Sequence, residues 1–371
     1  PIFDKFFGLT TGGTAVASAS AYTSSTFISN LNNNNVGTLA STLAFNSAYR
    51  TNREAVAVGI PANFFVANPN ATFARVLTND SISNYNALEV ELRKRFSHGL
   101  QFQADYTWSK AMGDAVDAQG NNQSDLVNRL SLRFPKRADY RRSTQDQTQR
   151  FVANSVYELP FGKGRSFLNG SSGFVDRLVG GWSMGGIITW TTGVPFYIAS
   201  GRSTFNCTGP LTNGACTPAN NGAQLVGISF ADFKKNVGLF KTPGGIFFVN
   251  PNLLDLTRDA SGKVTTSKLK AGLMTAPAPG TFGDFPVNGL SGPKYFQLDM
   301  SVIKRIRITE RVRFELKATA INILNHPDFI FPVNSNGNGT NVLNFDSTTF
   351  GLVTVQRNTS RQFNFIGQLR F

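Results

Sequence analysis

Apolar and polar residues alternate along several stretches of this chain, a pattern typical of strands that have two different faces. In the first stretch, Leu88, Val90 and Leu92 alternate with charged side chains. Those side chains are Glu89, Glu91, Arg93 and Arg95. After the short segment 97–99 the alternation resumes and continues to about residue 111. Two long strands joined by a glycine-containing turn predict an antiparallel hairpin.

The same alternation recurs further along the chain. Seven strands are predicted, at about 84–96, 100–111, 147–160, 181–195, 295–308, 312–324 and 361–371. In the sixth, the polar face carries Arg313, Glu315 and Lys317. The first hairpin's strands run for roughly nine or more residues, whereas strands of soluble sheets are typically about five or six long. A long apolar stripe opposite a charged stripe is typical of a strand between lipid and a wet lumen. We therefore predict an all-β fold, an antiparallel transmembrane β-barrel.

Short and long connections alternate between these strands. The short or moderate ones are 97–99, about 160–180 and 309–311, and the long polar ones are about 112–146, 196–294 and 325–360. Outer-membrane barrels have short periplasmic turns and long extracellular loops, so we expect a bacterial outer-membrane protein whose C-terminus is periplasmic.

The same topology divides the chain into two regions. We expect residues 84–371 to form barrel strands and residues 1–83 to form a polar extracellular loop region. Because seven strands do not give the usual even number, we expect the chain to be the C-terminal part of a longer protein or one piece of a split barrel.

The last predicted strand carries large apolar residues on one face and ends on an aromatic residue. These residues are Phe363, Phe365, Leu369 and Phe371. The ending resembles the signal by which the barrel-assembly machinery recognises outer-membrane barrels, although a hydrophobic edge strand of any protein could also end in phenylalanine. We expect a barrel-assembly signal and an interaction with that machinery.

A set of short motifs occurs along the chain in the same order as in a known family of proteins. The segments are 83–88, 94–100, 106–110, 157–164, 180–182, 192–196, 279–283, 292–293 with Asp299 and Lys304, and 322–329. Together they resemble the C-terminal barrel half of TonB-dependent-receptor-like proteins of the Oar type. The chain departs from that family at Thr319, Ala320 and Ile321, where a Glu followed by aromatic residues is usual.

The resemblance has implications for the parent protein. It implies a barrel of about 22 strands, a plug domain inside it, and often an N-terminal carboxypeptidase-regulatory-like domain. It also implies the TonB system as a partner and uptake of a bulky extracellular ligand as the function.

Composition adds limits to this picture. The formal net charge is +14, but Lys and Arg are scattered and form no long run, so we expect no nucleic-acid partner. Outer-membrane lipid or an acidic ligand fits the charge better. No apolar stretch reaches the length of about 18 residues that a transmembrane helix needs.

Candidate reactive residues are few. Cys207 and Cys216 lie in a loop-like segment and predict a possible local disulfide. His98 and His326, the two histidines, are far apart in the sequence, so we expect no metal site. With no nucleophile or phosphate-binding motif either, we expect neither a cofactor nor an enzyme.

The charged strand faces have two interpretations. They could line a path for a solute, or they could pair across strands and contact a plug, and we favour the second because any large barrel needs such groups.

Three hypotheses for the function follow. The first is a TonB-dependent receptor or transporter, the second is a surface or adhesion protein anchored by its barrel, and the third is a soluble or fibrous β-protein.

Overall fold

The computed structural model describes residues 25–45, 63–65, 82–113, 140–202, 204, 221–333 and 342–371. In chain order, the strands are β1 Ser83–Ser97, β2 Leu100–Gly113, β3 Arg141–Arg142, β4 Gln149–Glu158, β5 Trp182–Thr191, β6 Pro195–Ala199, β7 Gln224–Leu225, β8 Val237–Thr242, β9 Gly245–Val249, β10 Leu254–Arg258, β11 Val264–Leu269, β12 Met274–Thr275, β13 Leu290–Ser291, β14 Tyr295–Arg307, β15 Arg313–Ile321, β16 Phe329–Ile330, β17 Val342–Asn344, β18 Leu352–Val353, β19 Val355–Gln356 and β20 Gln362–Arg370. The helices are α1 Ser25–Asn32, α2 Val36–Phe45, α3 Gly173–Val179 and α4 Phe230–Lys235, with a 3₁₀ turn at Pro251–Leu253.

One eight-stranded sheet, which we call the wall, organises the chain. Its long strands lie in the order β1-β2-β4-β5-β14-β15-β20, with β3 paired to the end of β2. Every neighbouring pair of these long strands is antiparallel. The all-β fold that the alternation predicts is thus confirmed.

The register of the wall gives it one continuous apolar face. Residues directly opposite each other in an antiparallel pair point to the same side of the sheet. One row crosses the wall through Tyr106, Phe151, Trp190 and Phe296. A second row, nearer the other end of the strands, joins Val302, Ala318 and Phe365. No described residue covers the large side chains at either edge, such as Leu92 and Phe365, which stay more than half exposed.

The seven long strands correspond to the seven predicted segments, with differences at their ends. The predicted segment 181–195 ends earlier, because β5 stops at Thr191 and the chain enters a separate strand at Pro195. The segment 312–324 also ends earlier, because Asn322 adopts a positive φ of 51° that a strand cannot continue through.

The tight turn between β1 and β2 has the conformation expected of a two-residue hairpin. His98 and Gly99 have φ values of 52° and 77°, the left-handed values of a type I′ turn. His98 therefore serves the backbone conformation of the turn.

The wall is not closed within the described residues, since β1 and β20 each pair on one side only. Six antiparallel steps separate these two edge strands, so they run in the same direction. They cannot close the barrel by the antiparallel pairing usual for outer-membrane barrels. Any closing strands lie outside the described residues.

Two long connections that the sequence predicts as polar loops instead form a folded unit, which we call the loop module. It comprises the described residues of 195–291 and 329–356. Its buried core includes Phe196, Ile198, Phe233, Phe247, Val249, Leu254, Leu290, Phe331, Leu343 and Phe350. The connections interlock, because β6 pairs with β17 and β9 pairs with β18. Short runs that are apolar at successive positions, such as 196–199 and 246–249, explain this, since such runs suit strands that are buried on both faces.

The N-terminal region also differs from the predicted polar loop, since it contains α1 and α2. The two helices pack on each other. Leu39 and Leu43, spaced four residues apart on α2, are buried, as is Phe27 on α1.

Gly181 provides a test of how the wall is registered. It has a φ of +71°, and a Cβ there would overlap the carbonyl oxygen of Arg305. Its own carbonyl accepts a hydrogen bond of 2.9 Å from the Arg305 amide. Gly181→Ala should lower the free energy of unfolding by more than the roughly 1–2 kcal/mol of left-handed backbone strain alone.

The matched control is Gly164→Ala, because Gly164 has a φ of +75° and no atom within 4 Å of an added Cβ. Urea unfolding followed by tryptophan fluorescence measures both variants. Equal losses would contradict the close approach of β5 to β14.

Candidate functional site

The charged residues predicted to face the lumen all lie on the face of the wall opposite the apolar rows, which we call the polar face. On β1 and β15 they occupy alternate positions: Glu89, Glu91, Arg93, Arg95, Arg313, Glu315 and Lys317. The structure brings together one part of this set. The Glu315 carboxylate lies 3.1 Å from Arg305 and 3.9 Å from Arg370, so it joins β14, β15 and β20.

The charges on β1 are arranged differently. Glu91 lies directly opposite Asp105 of β2, and like charges in that position repel. Among the described residues, Glu89, Glu91, Arg93 and Arg95 form no ion pair. This part of the polar face therefore needs water or a polar partner beyond the described sheet.

An ion-paired arginine, Arg142, joins the wall to the loop module at the end of the strands where the long connections begin. Asp146 is buried and lies 2.6 Å from the Arg142 guanidinium. Its carboxylate also accepts a hydrogen bond of 2.7 Å from the Ala111 amide of β2. Arg142 in turn donates to the Ser291 hydroxyl at 2.8 Å. Because a buried carboxylate is stable only when it is paired, this contact fixes where the module meets the wall.

A second polar cluster follows β15, in the segment 322–328 that carried part of the family resemblance. Asn322 is buried, its amide N–H donates to Asp299 at 2.8 Å, and its side chain donates to the carbonyls of His326 and Thr359 at 3.1 Å. The segment therefore connects β15 to the residues that lead into β20.

Asp328 completes this cluster. Its carboxylate accepts hydrogen bonds from the Phe296 amide at 3.0 Å and from the Asn358 side chain at 3.2 Å. Burial raises the pKa of the Asp328 carboxyl above its usual range. The sequence motif thus has a structural role in holding three strand ends together.

A shallow cavity of about 380 Å³ opens beside this cluster on the polar face. Its lining residues are Tyr295, Gln297, Ile321, Asn322, Arg357, Asn358 and Thr359. The Arg357 guanidinium lies 4.6 Å from the centre of the Tyr295 ring, a cation–π contact. Within the described part of the chain this guanidinium has no ion-pair partner, so the cavity suits hydroxyl or carboxylate groups.

The sequence analysis missed these residues of the long-connection end. Arg142, Asp146 and Arg357 belong to segments predicted as loops, and no spacing in the sequence marks which charges become buried. The one available signal was the run of Asn, His, Pro and Asp at 325–328, which indicates a specific turn.

Three further features concern the cysteines, possible metal ligands and membrane-spanning helices. Cys207 and Cys216 lie outside the described residues. Within the described ranges, no group of three or more His, Cys, Asp or Glu side chains could hold a metal ion. No described helix has the length and apolar character to cross a membrane.

Phe247 tests whether the loop module folds around a core of its own. Phe247→Ala removes a fully buried ring of β9, a change that typically costs about 3–5 kcal/mol. We expect trypsin to cleave the module more readily while the wall keeps its heat resistance on electrophoresis. Leu239→Ala in β8 is the control, because that side chain is 44% exposed. A matching loss of heat resistance in Phe247→Ala would mean that module and wall unfold as one unit.

Comparison with known proteins agrees with this architecture. The family model described as outer membrane beta barrel domain matches residues 19–364. Searches of curated proteins and of solved structures return no match. Because the family match spans most of the chain and the wall has one apolar and one polar face, we conclude that this chain belongs to the outer membrane beta barrel domain family.

Proposed function

We propose that this chain is barrel wall from a TonB-dependent, Oar-like outer-membrane receptor that binds a bulky extracellular ligand and guides it inward. The observation that carries the proposal is the polar face, which is too charged and too little paired to fill a narrow barrel by itself. The interiors of small barrels are packed with side chains, whereas wide ones hold water or a plug.

The edge strands support a barrel that is larger than the described wall. Since β1 and β20 run in the same direction, antiparallel closure needs at least one more strand than the seven long ones described. A plug domain or water would then supply the partners that Glu89, Glu91, Arg93 and Arg95 lack in the wall. On this proposal, these residues and Arg313, Glu315 and Lys317 face the lumen.

The orientation follows from the two kinds of connection. We place the apolar face against outer-membrane lipid, the loop module outside the cell and the C-terminus in the periplasm. Phe363, Phe365, Leu369 and Phe371 would then present the barrel-assembly signal to the assembly machinery. The partners are a plug inside the barrel and the TonB system on its periplasmic side, and no nucleic acid or enzymatic step is involved.

The cavity beside Arg357 gives the ligand a first contact on the lumen side of the loop module. Its amide, hydroxyl and guanidinium groups suit an oxygen-rich ligand, and the net charge of +14 favours an acidic one.

The alternative is a surface or adhesion protein in which the barrel is an anchor. The loop module favours this reading, because it has its own hydrophobic core and could act as a displayed binding domain. Both functions share the same orientation but differ in what fills the barrel.

The orientation predicts which end of the barrel is accessible in intact cells. In a protein carrying Cys207→Ser and Cys216→Ser, a membrane-impermeant maleimide should label Ala260→Cys, at the exposed tip between β10 and β11. It should leave Glu310→Cys, in the short turn between β14 and β15, unlabelled until the outer membrane is permeabilised. Labelling of Glu310→Cys alone would reverse the orientation.

Ion conductance separates the receptor from the anchor. The intact protein in a planar bilayer with KCl should conduct weakly, because the plug fills the lumen. Urea at the short-turn side should raise the conductance several-fold and reversibly, because a soluble plug unfolds before the barrel does. A barrel that stays non-conducting in urea while it remains folded would favour the anchor and contradict the receptor.

A further inference from the structure

The connection between β4 and β5 carries an apolar helix that no part of the proposed function uses. On α3, Phe174, Val175 and Leu178 share one face, and Phe174 is 77% exposed. Leu178 lies four residues after Phe174 and three after Val175, and both spacings bring side chains together on a helix. The three therefore form one surface, which we call the α3 face. Within the described residues nothing packs over it.

Lys304 shows which side of the wall this helix occupies. On β14, Lys304 follows Phe296, Leu298, Met300 and Val302 at every second position, and it lies opposite Trp182 and Leu316. It therefore belongs to the apolar face of the wall. Among these alternate positions it is the only charged one.

A lysine on the lipid side needs compensation, and α3 supplies it. The Lys304 ammonium donates to the carbonyls of Leu178, at 2.9 Å, and Gly180, which end the helix. It also lies 4.9 Å from the centre of the Trp182 ring, whose N–H donates to the same Leu178 carbonyl. Lys304 is only 4% exposed as a result. The C-terminal end of α3 is thus fastened to the outside of the barrel.

The surroundings of α3 match the boundary between headgroups and acyl chains. Lys304 and Trp182 form the last registered pair of β5 and β14 at the short-turn end, and tryptophan is enriched at membrane interfaces. The connection 159–181 contains three basic residues and one acidic residue. Its acidic residue, Asp176, is engaged within the turn, where it accepts a hydrogen bond of 2.6 Å from the Lys163 amide.

We propose that the α3 face is a membrane-interface anchor that inserts into the phospholipid leaflet at the short-turn end of the barrel. The apolar side chains enter the boundary between headgroups and acyl chains, and Lys163 and Arg177 lie among anionic headgroups. This α3 face continues the apolar face of the wall, so the same lipid that surrounds the barrel covers it. The inference rests on membership of the barrel family and is independent of receptor function.

The test uses an environment-sensitive fluorophore on the intact protein. With Cys207→Ser and Cys216→Ser as background, NBD is attached at Phe174→Cys, and the protein is reconstituted in phosphatidylethanolamine vesicles that contain phosphatidylglycerol. Lipid carrying a doxyl group near the headgroup should quench this label several-fold more than a label at Glu310→Cys. A label at Phe174→Cys that is quenched by aqueous iodide and by doxyl lipid to the same degree as the control would overturn the proposal.

A second variant separates insertion from folding. In a protein labelled at Val175→Cys, the pair Phe174→Asn and Leu178→Asn should abolish the lipid quenching while the heat resistance of the barrel stays unchanged. If another protein covers α3 instead, the Val175→Cys label in vesicles that lack that protein would be open to iodide, which would also overturn the proposal.

Discussion

Backbone polar groups inside a membrane have no water to pair with, and the rest of this structure depends on that constraint. A strand meets it by pairing along its whole length, so the wall strands are long and their ladders are continuous across the sheet. Side chains then alternate between lipid and lumen, and the register must hold in every pair. The single apolar face running from β1 to β20 follows from this requirement.

The two ends of the strands meet the same constraint by different means. At the long-connection end, Asp146 and Asp328 accept backbone hydrogen bonds from Ala111 and Phe296, residues in or next to the wall strands. Each carboxylate also binds a connecting segment, so the folded connections are held against the wall. At the short-turn end, Lys304 performs the reverse task and donates to the carbonyls that end α3. The connections therefore supply hydrogen-bond partners to the strand ends at both edges of the membrane.

The wall was predictable from the sequence because its signal is local. Alternation of Leu88, Val90 and Leu92 with charged residues identifies a strand without knowledge of its neighbours. The loop module was missed because its strands are short and buried on both faces, and its core joins segments more than a hundred residues apart, such as Ile198 and Leu343. The same limit hid Arg142 and Arg357, whose roles depend on long-range contacts. The sequence marks Lys304 only as part of the family resemblance, because the carbonyls that it binds lie on another connection.

If the wall separates lipid from a polar lumen, the environment of successive residues on β14 must alternate. Nitroxide labels placed one at a time at positions 297–302 of the intact protein in vesicles can be probed with oxygen, which enters lipid, and with a nickel chelate, which stays in water. We expect high oxygen accessibility at Leu298, Met300 and Val302 and lower oxygen accessibility at Gln297, Asp299 and Ser301. Accessibility that does not alternate with a period of two would contradict a membrane-spanning wall.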